Sequence, residues 1–289
     1  MSAAIWFALG AMIFNGLTDF AFKTAAAGSL RGDYKMHHFI VAQSALFWIT
    51  TFLYGLAADE LKYGPHMLLG FAAGFFMFVG FTCFAWSLQH GNVSVNGPIF
   101  RLNFLVTAAL AMLLLGEPPL PVKLAGLGLA LVAIWLLVGT GAGGLSGLSA
   151  EAKRSLLLAV TATLALGAGN TIHKVGLMMG GTPATQLTCH SFVYLALSTV
   201  MAVRADGGLA VPSGVWPVAL FGAVTGACGF ILMMRGLTVG EASVVVPIAQ
   251  MGLVVSAALG VVVLSERLTG RKLAGLAAAV AALGALAMS

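Results

Sequence analysis

Long apolar runs alternate with short polar or Gly/Pro-rich breaks along the whole chain of 289 residues. Most runs approach the ~20 residues that a helix needs to cross the ~30 Å hydrocarbon layer of a bilayer. The pattern predicts an all-α, polytopic membrane protein with ten transmembrane helices. We place these spans at residues 3–23, 37–57, 66–88, 93–115, 121–140, 155–178, 184–203, 215–235, 241–264 and 271–288.

The two halves of the chain are similar in sequence. A displacement of 149 residues aligns Gly91–Leu136 with Gly240–Ala285 and gives 18 identities in 46 positions. A displacement of 151 residues aligns the first helix of each half. The aligned pairs include Ser94/Ser243, Pro98/Pro247, Arg101/Gln250, Glu117/Glu266, Asp19/Asn170 and Lys23/Lys174. A composition rich in Ala, Leu and Gly does not place Pro, Glu and Lys at one displacement, so we infer a duplication.

The duplication predicts how the chain is organised in the membrane. Each half holds five spans, and because five is odd the second half enters the bilayer from the opposite side. We therefore predict a first repeat at residues 1–140, a linker at 141–154 and a second, inverted repeat at 155–289. Inverted repeats are a recurrent design of secondary transporters, in which a central site opens alternately to either side.

Composition excludes several other classes of protein. Hydrophobic residues make up 60% of the chain and charged residues 8%, against about 25% charged residues in soluble domains. The net charge of +5 comes from scattered Lys and Arg residues, so we expect no nucleic-acid partner. The sequence has no GxSxG, HExxH, CxxC or Walker motif, and we predict no catalytic residue, cofactor or metal. An intramembrane enzyme is the non-transport alternative.

Several motifs resemble a known family. Lys23 and Lys174 close the first helix of each half, and a Glu-containing loop in each half precedes Lys-Leu-Ala-Gly, at Lys123 and Lys272. These features resemble the EamA-type repeats of the drug/metabolite transporter superfamily over nearly the whole chain. Members of similar length export amino acids or other small metabolites, while relatives carry nucleotide sugars, organic phosphates or drugs. The resemblance also implies that the fifth and tenth helices support the other eight, which surround a cavity.

The repeats and the resemblance together predict a function. We expect a multi-pass transporter of the cell inner membrane that exports small polar metabolites, with amino acids as the favoured substrates. We also expect it to act as a monomer. Its partners are then the small-molecule substrate, the lipid bilayer and, as a further candidate, protons. Transport of other organic anions, sugars or drugs is the alternative.

Two charged residues within the predicted spans are candidates for the site. A charge at the bilayer centre costs at least ~2.5–3.5 kcal/mol, so it needs a partner or a wet cavity. Arg101 lies near the midpoint of the fourth span, and Asp19 lies on the first span at a depth that differs by roughly 4–5 Å at the helical rise. In a structural interpretation Asp19 pairs with Arg101, or with Lys23. In a functional interpretation Arg101 receives a carboxylate or phosphate and Asp19 exchanges partners or protons.

Further candidates follow from the duplication and from polar residues on the same helices. Asn170 and Gln250 are the neutral counterparts of Asp19 and Arg101, and we expect them, with Asn15, to contribute to substrate binding. His173 shares a helix face with Asn170 and is the candidate for a titrating cavity group, whereas we expect His190 to be buried and neutral. Pro98 and Pro247 are candidate hinges, or ordinary kinks of membrane helices.

Orientation follows two conflicting signals. We call the side of the bilayer that holds both termini side A and the opposite side B. Nine Lys and Arg residues fall on side B and four on side A, so the positive-inside rule places side B in the cytoplasm. The family resemblance implies the opposite, with cytoplasmic termini. The sequence leaves the choice open.

Overall fold

The structure, a computed structural model, describes residues 2–90, 96, 99–138, 150–252, 254–255 and 270–289. Within these residues it contains helices and no strand, which confirms the all-α fold class there. A 3₁₀ turn at Ser213–Val215 precedes the helix that begins at Trp216. The helices are α1 (Ala3–Leu30), α2 (Met36–Ala57), α3 (His66–His90), α4 (Asn103–Leu114), α5 (Pro121–Val138), α6 (Ala150–Met178), α7 (Pro183–Asp206), α8 (Trp216–Val239), α9 (Ala242–Gln250) and α10 (Gly270–Ala287).

Six helical segments of the described residues are long and apolar enough to cross a membrane. They are Ala3–Phe22, Met36–Ala57, His66–Ser87, Ala150–Met178, Pro183–Asp206 and Ser213–Val239. Three shorter apolar helices lie at Ile99–Leu114, Pro121–Leu136 and Leu273–Ala287. The count of ten spans stays a prediction, since much of the fourth and ninth predicted spans and residues 141–149 of the linker lie outside the described residues.

Two helices, α1 and α6, extend beyond their predicted ends by five residues or more. The first span was placed at residues 3–23, but α1 continues to Leu30. It stops in a Schellman motif, in which the N–H of Gly32 bonds to the Ser29 carbonyl and that of Asp33 to the Gly28 carbonyl, with Gly32 at φ +82°. Likewise α6 begins at Ala150 rather than residue 155, and Glu151 in its first turn suits the positive end of the helix dipole.

Helices of the two halves pack together in matched pairs. α1 packs along α8 and α3 along α6, which are equivalent pairings under the duplication. The pairs α2–α7, α4–α9 and α5–α10 each join a helix to its own counterpart. This is the packing that a two-fold relation between the halves predicts. It also brings α4 and α9 into contact beside α1 and α6, in the middle of the bundle.

Two equivalent glycines make the same close contact in each half. A Cβ atom added at Gly16 on α1 would lie 2.5 Å from the Cβ of Val255 and 2.6 Å from the Gly252 carbonyl oxygen. One added at Gly167 on α6 would lie 2.5 Å from the Cβ of Val106. The displacements found in the sequence relate these contacts to each other, because Gly167 is the counterpart of Gly16 and Val255 that of Val106. Small residues here let the helix backbones approach closely.

Gly16→Ala should therefore destabilise the protein, because the added methyl group meets backbone as well as side-chain atoms. Overpacking of this kind typically costs about 1–3 kcal/mol. The matched control is Gly128→Ala on α5, where an added Cβ meets nothing within 4 Å. Thermal unfolding of both variants in one detergent measures the difference. Equal midpoints for Gly16→Ala and the wild type would contradict the close contact.

Candidate functional site

The predicted fourth and ninth spans are interrupted at equivalent positions. The interruption in the fourth span precedes α4, and that in the ninth span follows α9. We predicted spans at residues 93–115 and 241–264, each with a proline as a kink or hinge, and within the described residues the regular helix is interrupted at Leu102 and at Met251. The N–H of Leu102 bonds to the Ile99 carbonyl at 3.0 Å, and the N–H of Met251 bonds to the Ile248 carbonyl at 3.1 Å. Each of these is a tightened turn that ends one helical segment before the next begins.

A proline accounts in part for the interruption that follows α9. Pro247 lies inside α9, one turn before the break, and lacks the N–H that would bond to the carbonyl four residues earlier. Its counterpart Pro98 lies outside the described residues, and so does the predicted hinge there. The role of Pro247 as a hinge stays a prediction.

Side-chain amides satisfy the carbonyls that the breaks leave open. The Phe100 carbonyl accepts a hydrogen bond from Asn103 Nδ2 at 2.8 Å, and the equivalent Ala249 carbonyl accepts one from Asn15 Nδ2 at 3.0 Å. Asn15, which we expected to bind substrate, thus holds α1 against the end of α9. Asn170 is buried at the α4–α6 contact, where its Nδ2 lies 3.4 Å from Thr107 Oγ1. Both side chains serve helix packing in this structure.

The breaks place Arg101 and Gln250 side by side. Each is the last helical residue before its break, at the end of a helix where the backbone dipole favours a cation. Arg101 Nη2 lies 2.5 Å from Asp19 Oδ2 on α1, and Arg101 Nη1 lies 3.5 Å from Gln250 Oε1. The side chains of Arg101 and Asp19 remain 19% and 28% exposed. Three of the predicted site residues therefore meet at the centre of the bundle.

The charged groups of Arg101 and Asp19 are paired but remain partly exposed. One arm of the guanidinium bonds to a carboxylate, while the other has only a long contact with a neutral amide. A partly exposed guanidinium and carboxylate can offer a ligand both a fork of donors and an acceptor. The side chain of Lys23, the other partner considered for Asp19, lies outside the described part of the chain.

His173 does not lie beside Arg101. It is fully buried on α6, and its Nε2 lies 3.1 Å from Nδ1 of His190 on α7. His190 is buried as expected, but the sequence did not reveal that the two rings meet. The two residues lie on different helices, and no spacing along the chain marks such a contact.

On side A, the motif residue Glu117 joins the two halves. Its carboxylate accepts hydrogen bonds from the N–H groups of Ala242 and Ser243, at 2.7 and 2.8 Å, at the start of α9. The first N–H groups of a helix have no partner within the helix, so a carboxylate is the capping group that they prefer. The sequence marks this Glu as part of a motif but does not indicate its role. Its counterpart Glu266 lies outside the described residues.

Two motif lysines surround the same loop between α8 and α9. Lys123 is fully buried, bonds to the Pro118 carbonyl at 2.9 Å and forms an ion pair with Glu241. Lys174 donates to the carbonyls of Leu237 and Gly240, at 2.7 and 2.8 Å. Lys123 and Glu117 thus join the two halves on side A, while Lys174 holds the loop within the second half.

Side B carries a cavity of about 820 Å³ between α1, α2, α3 and α7. At its rim Asp206, the last residue of α7, bonds to three residues at the start of α2. Lys35 Nζ lies 2.5 Å from one carboxylate oxygen, and the Nε2 atoms of His37 and His38 lie 2.5 and 2.8 Å from the other. This cluster links the halves beside the cavity.

The same cluster bears on the prediction that no metal site exists. Ligand atoms of His37, His38 and Asp206 lie within 4.8 Å of one another, and sequence spacing missed them because Asp206 comes from the other half. His38 Nδ1, however, accepts the N–H of Lys35 at 3.3 Å, so neutral His38 carries its proton on Nε2 and donates it to Asp206. Metal binding at Nε2 would break this arrangement. The geometry is that of a hydrogen-bonded link.

Comparisons with known proteins bear on both halves. The profile of the EamA-like transporter family matches residues 2–139 and 153–288. No curated protein matches the chain. A solved structure titled only "Crystal structure of protein" aligns with a TM-score of 0.82 and 16% identity, covering 100% of this chain and 97% of that one, and it shows the fold alone. Since one family accounts for both repeats and nearly all of the chain, the protein belongs to the EamA-like transporter family, whose members are multi-pass membrane transporters of small molecules.

Proposed function

We propose that this protein is a secondary transporter that exports small polar metabolites, specifically amino acids, across the inner membrane as a monomer. The observation that carries the proposal is the group formed by Arg101, Asp19 and Gln250 at the two helix breaks. Discontinuous helices whose ends meet at the repeat interface are typical binding sites of inverted-repeat transporters.

The charges of this group match a zwitterion. Without substrate, Asp19 and Arg101 neutralise each other at 2.5 Å. An α-carboxylate fits the planar fork of Arg101, and an α-ammonium group fits the carboxylate of Asp19. The partners then exchange, and no charge is left uncompensated in a low-dielectric site, which would be costly. A substrate with only one of the two charges leaves one residue unpaired.

The Gln250 side chain makes that exchange easy. Its contact with Arg101 is at the outer limit of hydrogen-bond distance, 3.5 Å, and joins a charge to a neutral group. A carboxylate that replaces the amide adds an ion pair to the hydrogen bond and can bind the guanidinium fork through both of its oxygens. Gln250 can then turn its amide to the bound substrate.

The two ends of the bundle support alternating access. On side A, Glu117, Lys123 and Lys174 tie the loop between α8 and α9 to its surroundings. On side B, a cavity of about 820 Å³ lies between α1, α2, α3 and α7, with Asp206 at its rim. A rocking of the halves that loosens side A and closes side B would expose the Arg101 group to the other side. We place the termini in the cytoplasm, as in the family pattern, so that side B faces outward.

Uptake into proteoliposomes tests the proposal with a panel of labelled compounds. The panel holds amino acids, their amides, their N-acetyl forms, a sugar and a cationic drug, and a reporter fused after Ser289 reads the orientation. We expect each blocked form to be transported about ten- to a hundredfold less well than its parent, since a charged hydrogen bond contributes about 1.5–3 kcal/mol. Preferred transport of the sugar or drug would contradict the amino-acid assignment, and no transport of any compound would reject the function.

A further inference from the structure

A pair of histidines is buried within the bundle and has no part in the proposed substrate site. His173 Nε2 on α6 lies 3.1 Å from His190 Nδ1 on α7, with ring centroids 5.1 Å apart. Both side chains are buried, at 0% and 3% exposure. Two imidazoles in this contact can share a proton, because each nitrogen of the contact can serve as donor or acceptor.

A chain of polar groups continues from this pair towards side A. Gln186, one turn before His190 on α7, lies beside His173. Its Nε2 donates to the His66 carbonyl at 2.7 Å. Gln186 Oε1 and His173 Nδ1 are both buried, and neither has another partner that meets hydrogen-bond geometry among the described residues. The Nδ1–H of His173 therefore faces the Gln186 oxygen.

In the other direction, the pair leads towards the cavity on side B. The His190 ring packs against Phe230 and Tyr194, with centroids 5.5 and 6.4 Å away. Gln186, His190 and Tyr194 follow one another at intervals of four residues and so lie on one face of α7. Met201 and Ala205, further along α7, line the cavity on side B.

The charged side chains nearest the pair on α6 and α8 bond to groups other than the two histidines. Lys174 on α6 is directed to the carbonyls of Leu237 and Gly240, and Arg235 on α8 bonds to Glu60 and to Tyr54 of α2. The described parts of α4 and α9 carry no charged residue. Within the helices around the pair, the other titratable groups are Tyr54 on α2, Cys83 on α3, Cys189 and Tyr194 on α7, and Cys228 on α8. Further titratable groups lie at the ends of these helices, among them His37 and His38 on α2, His66 on α3, Glu151 on α6 and Asp206 on α7. No described carboxylate neutralises the pair, so an extra proton is held there only in passing.

We infer that His173 and His190 form a proton-transfer pair that couples substrate transport to proton movement. A proton from the cavity on side B adds to Nε2 of neutral His190. The Nδ1 proton of His190 then passes to Nε2 of His173, and His173 releases its own Nδ1 proton towards side A. One proton enters and one leaves, opposite in direction to the exported substrate. Both rings end neutral with the proton on Nε2, and a tautomer shift resets them. The inference rests on the proposed transport function.

The test uses proteoliposomes loaded with a pH-sensitive dye and a mixture of labelled amino acids. Three quantities are measured: proton flux recorded by the dye, accumulation driven by a pH gradient, and exchange of labelled for unlabelled amino acid at equal pH. For the wild type we expect the dye to record proton flux, with about tenfold accumulation per pH unit at one proton per substrate. His173→Gln and His190→Gln should lose accumulation and proton flux but keep exchange. The matched control is His66→Gln, whose carbonyl still accepts from Gln186 and which should keep all three.

The outcomes separate this inference from the proposed function. Amino-acid exchange by the wild type without any response to the pH gradient overturns the proton pair and leaves the transporter standing. No amino-acid transport at all removes both. Variants that retain gradient-driven accumulation also overturn the inference. Thermal unfolding of each variant and of the double His173→Gln/His190→Gln variant is measured in parallel, and loss of exchange together with loss of stability in all of them would assign the pair a structural role instead.

Discussion

Arg101→Gln is expected to reduce transport of carboxylate-bearing substrates by about ten- to a hundredfold, because it removes the charged donor for the carboxylate. Transport of the carboxyl-free amides should change far less. The substitution copies the counterpart Gln250, so the residue type already fits a helix end of this kind. It also leaves Asp19 without its partner at 2.5 Å. We expect a loss of stability below the about 3–5 kcal/mol of a fully buried pair, since both side chains keep some exposure.

The double variant Asp19→Asn/Arg101→Gln separates binding from folding. It removes both charges and reproduces the neutral residues Asn170 and Gln250 of the second half. Thermal stability should therefore return towards that of the wild type, while amino-acid transport stays low. Arg31→Gln, at an exposed pair with Asp33, is the matched control for loss of an arginine. A stable Arg101→Gln protein with unchanged transport and unchanged substrate preference would eliminate both roles of Arg101.

Glu117→Ala is expected to cause the largest loss of stability among single changes on side A. It strands the N–H groups of Ala242 and Ser243, which bond to the carboxylate at 2.7 and 2.8 Å. Each buried N–H without an acceptor costs about 1–3 kcal/mol, so we expect the two together to cost roughly 2–6 kcal/mol. Transport should fall as well, because the carboxylate holds the first half to the start of α9.

The measurements for Glu117→Ala are thermal unfolding and hydrogen exchange of the segment that contains α9. Exchange should accelerate at the start of α9 before it does so in α2 or α7. Glu151→Ala, which removes an exposed carboxylate from the first turn of α6, is the matched control and should change stability by less than about 0.5 kcal/mol. If the two variants unfold at the same temperature, the cap at α9 contributes nothing.

The sequence was sufficient for features that follow from the free-energy cost of a charge in the bilayer or from the periodicity of apolar residues. Arg101 and Asp19 are expensive in a bilayer, and helix direction places them on the same side, so their meeting could be expected. The duplication predicted that Arg101 and Gln250 are equivalent, but not that they touch. They touch beside the equivalent interruptions at Leu102 and Met251, both apolar residues within apolar runs. The paired prolines at 98 and 247 were the only signal along the chain.

The helices could be predicted from sequence because in a bilayer every backbone N–H and C=O must bond within its own segment, and long apolar runs leave only helices. The duplication and the family could be predicted as well, since both depend on residue identities along the chain. Which side chains meet depends on the tertiary structure. Lipid-facing and buried faces of these helices are both apolar, so the sequence does not encode how each helix is rotated against its neighbours. The contacts of His173 with His190, of Asp206 with His37, and of Glu117 with the start of α9 all depend on that rotation.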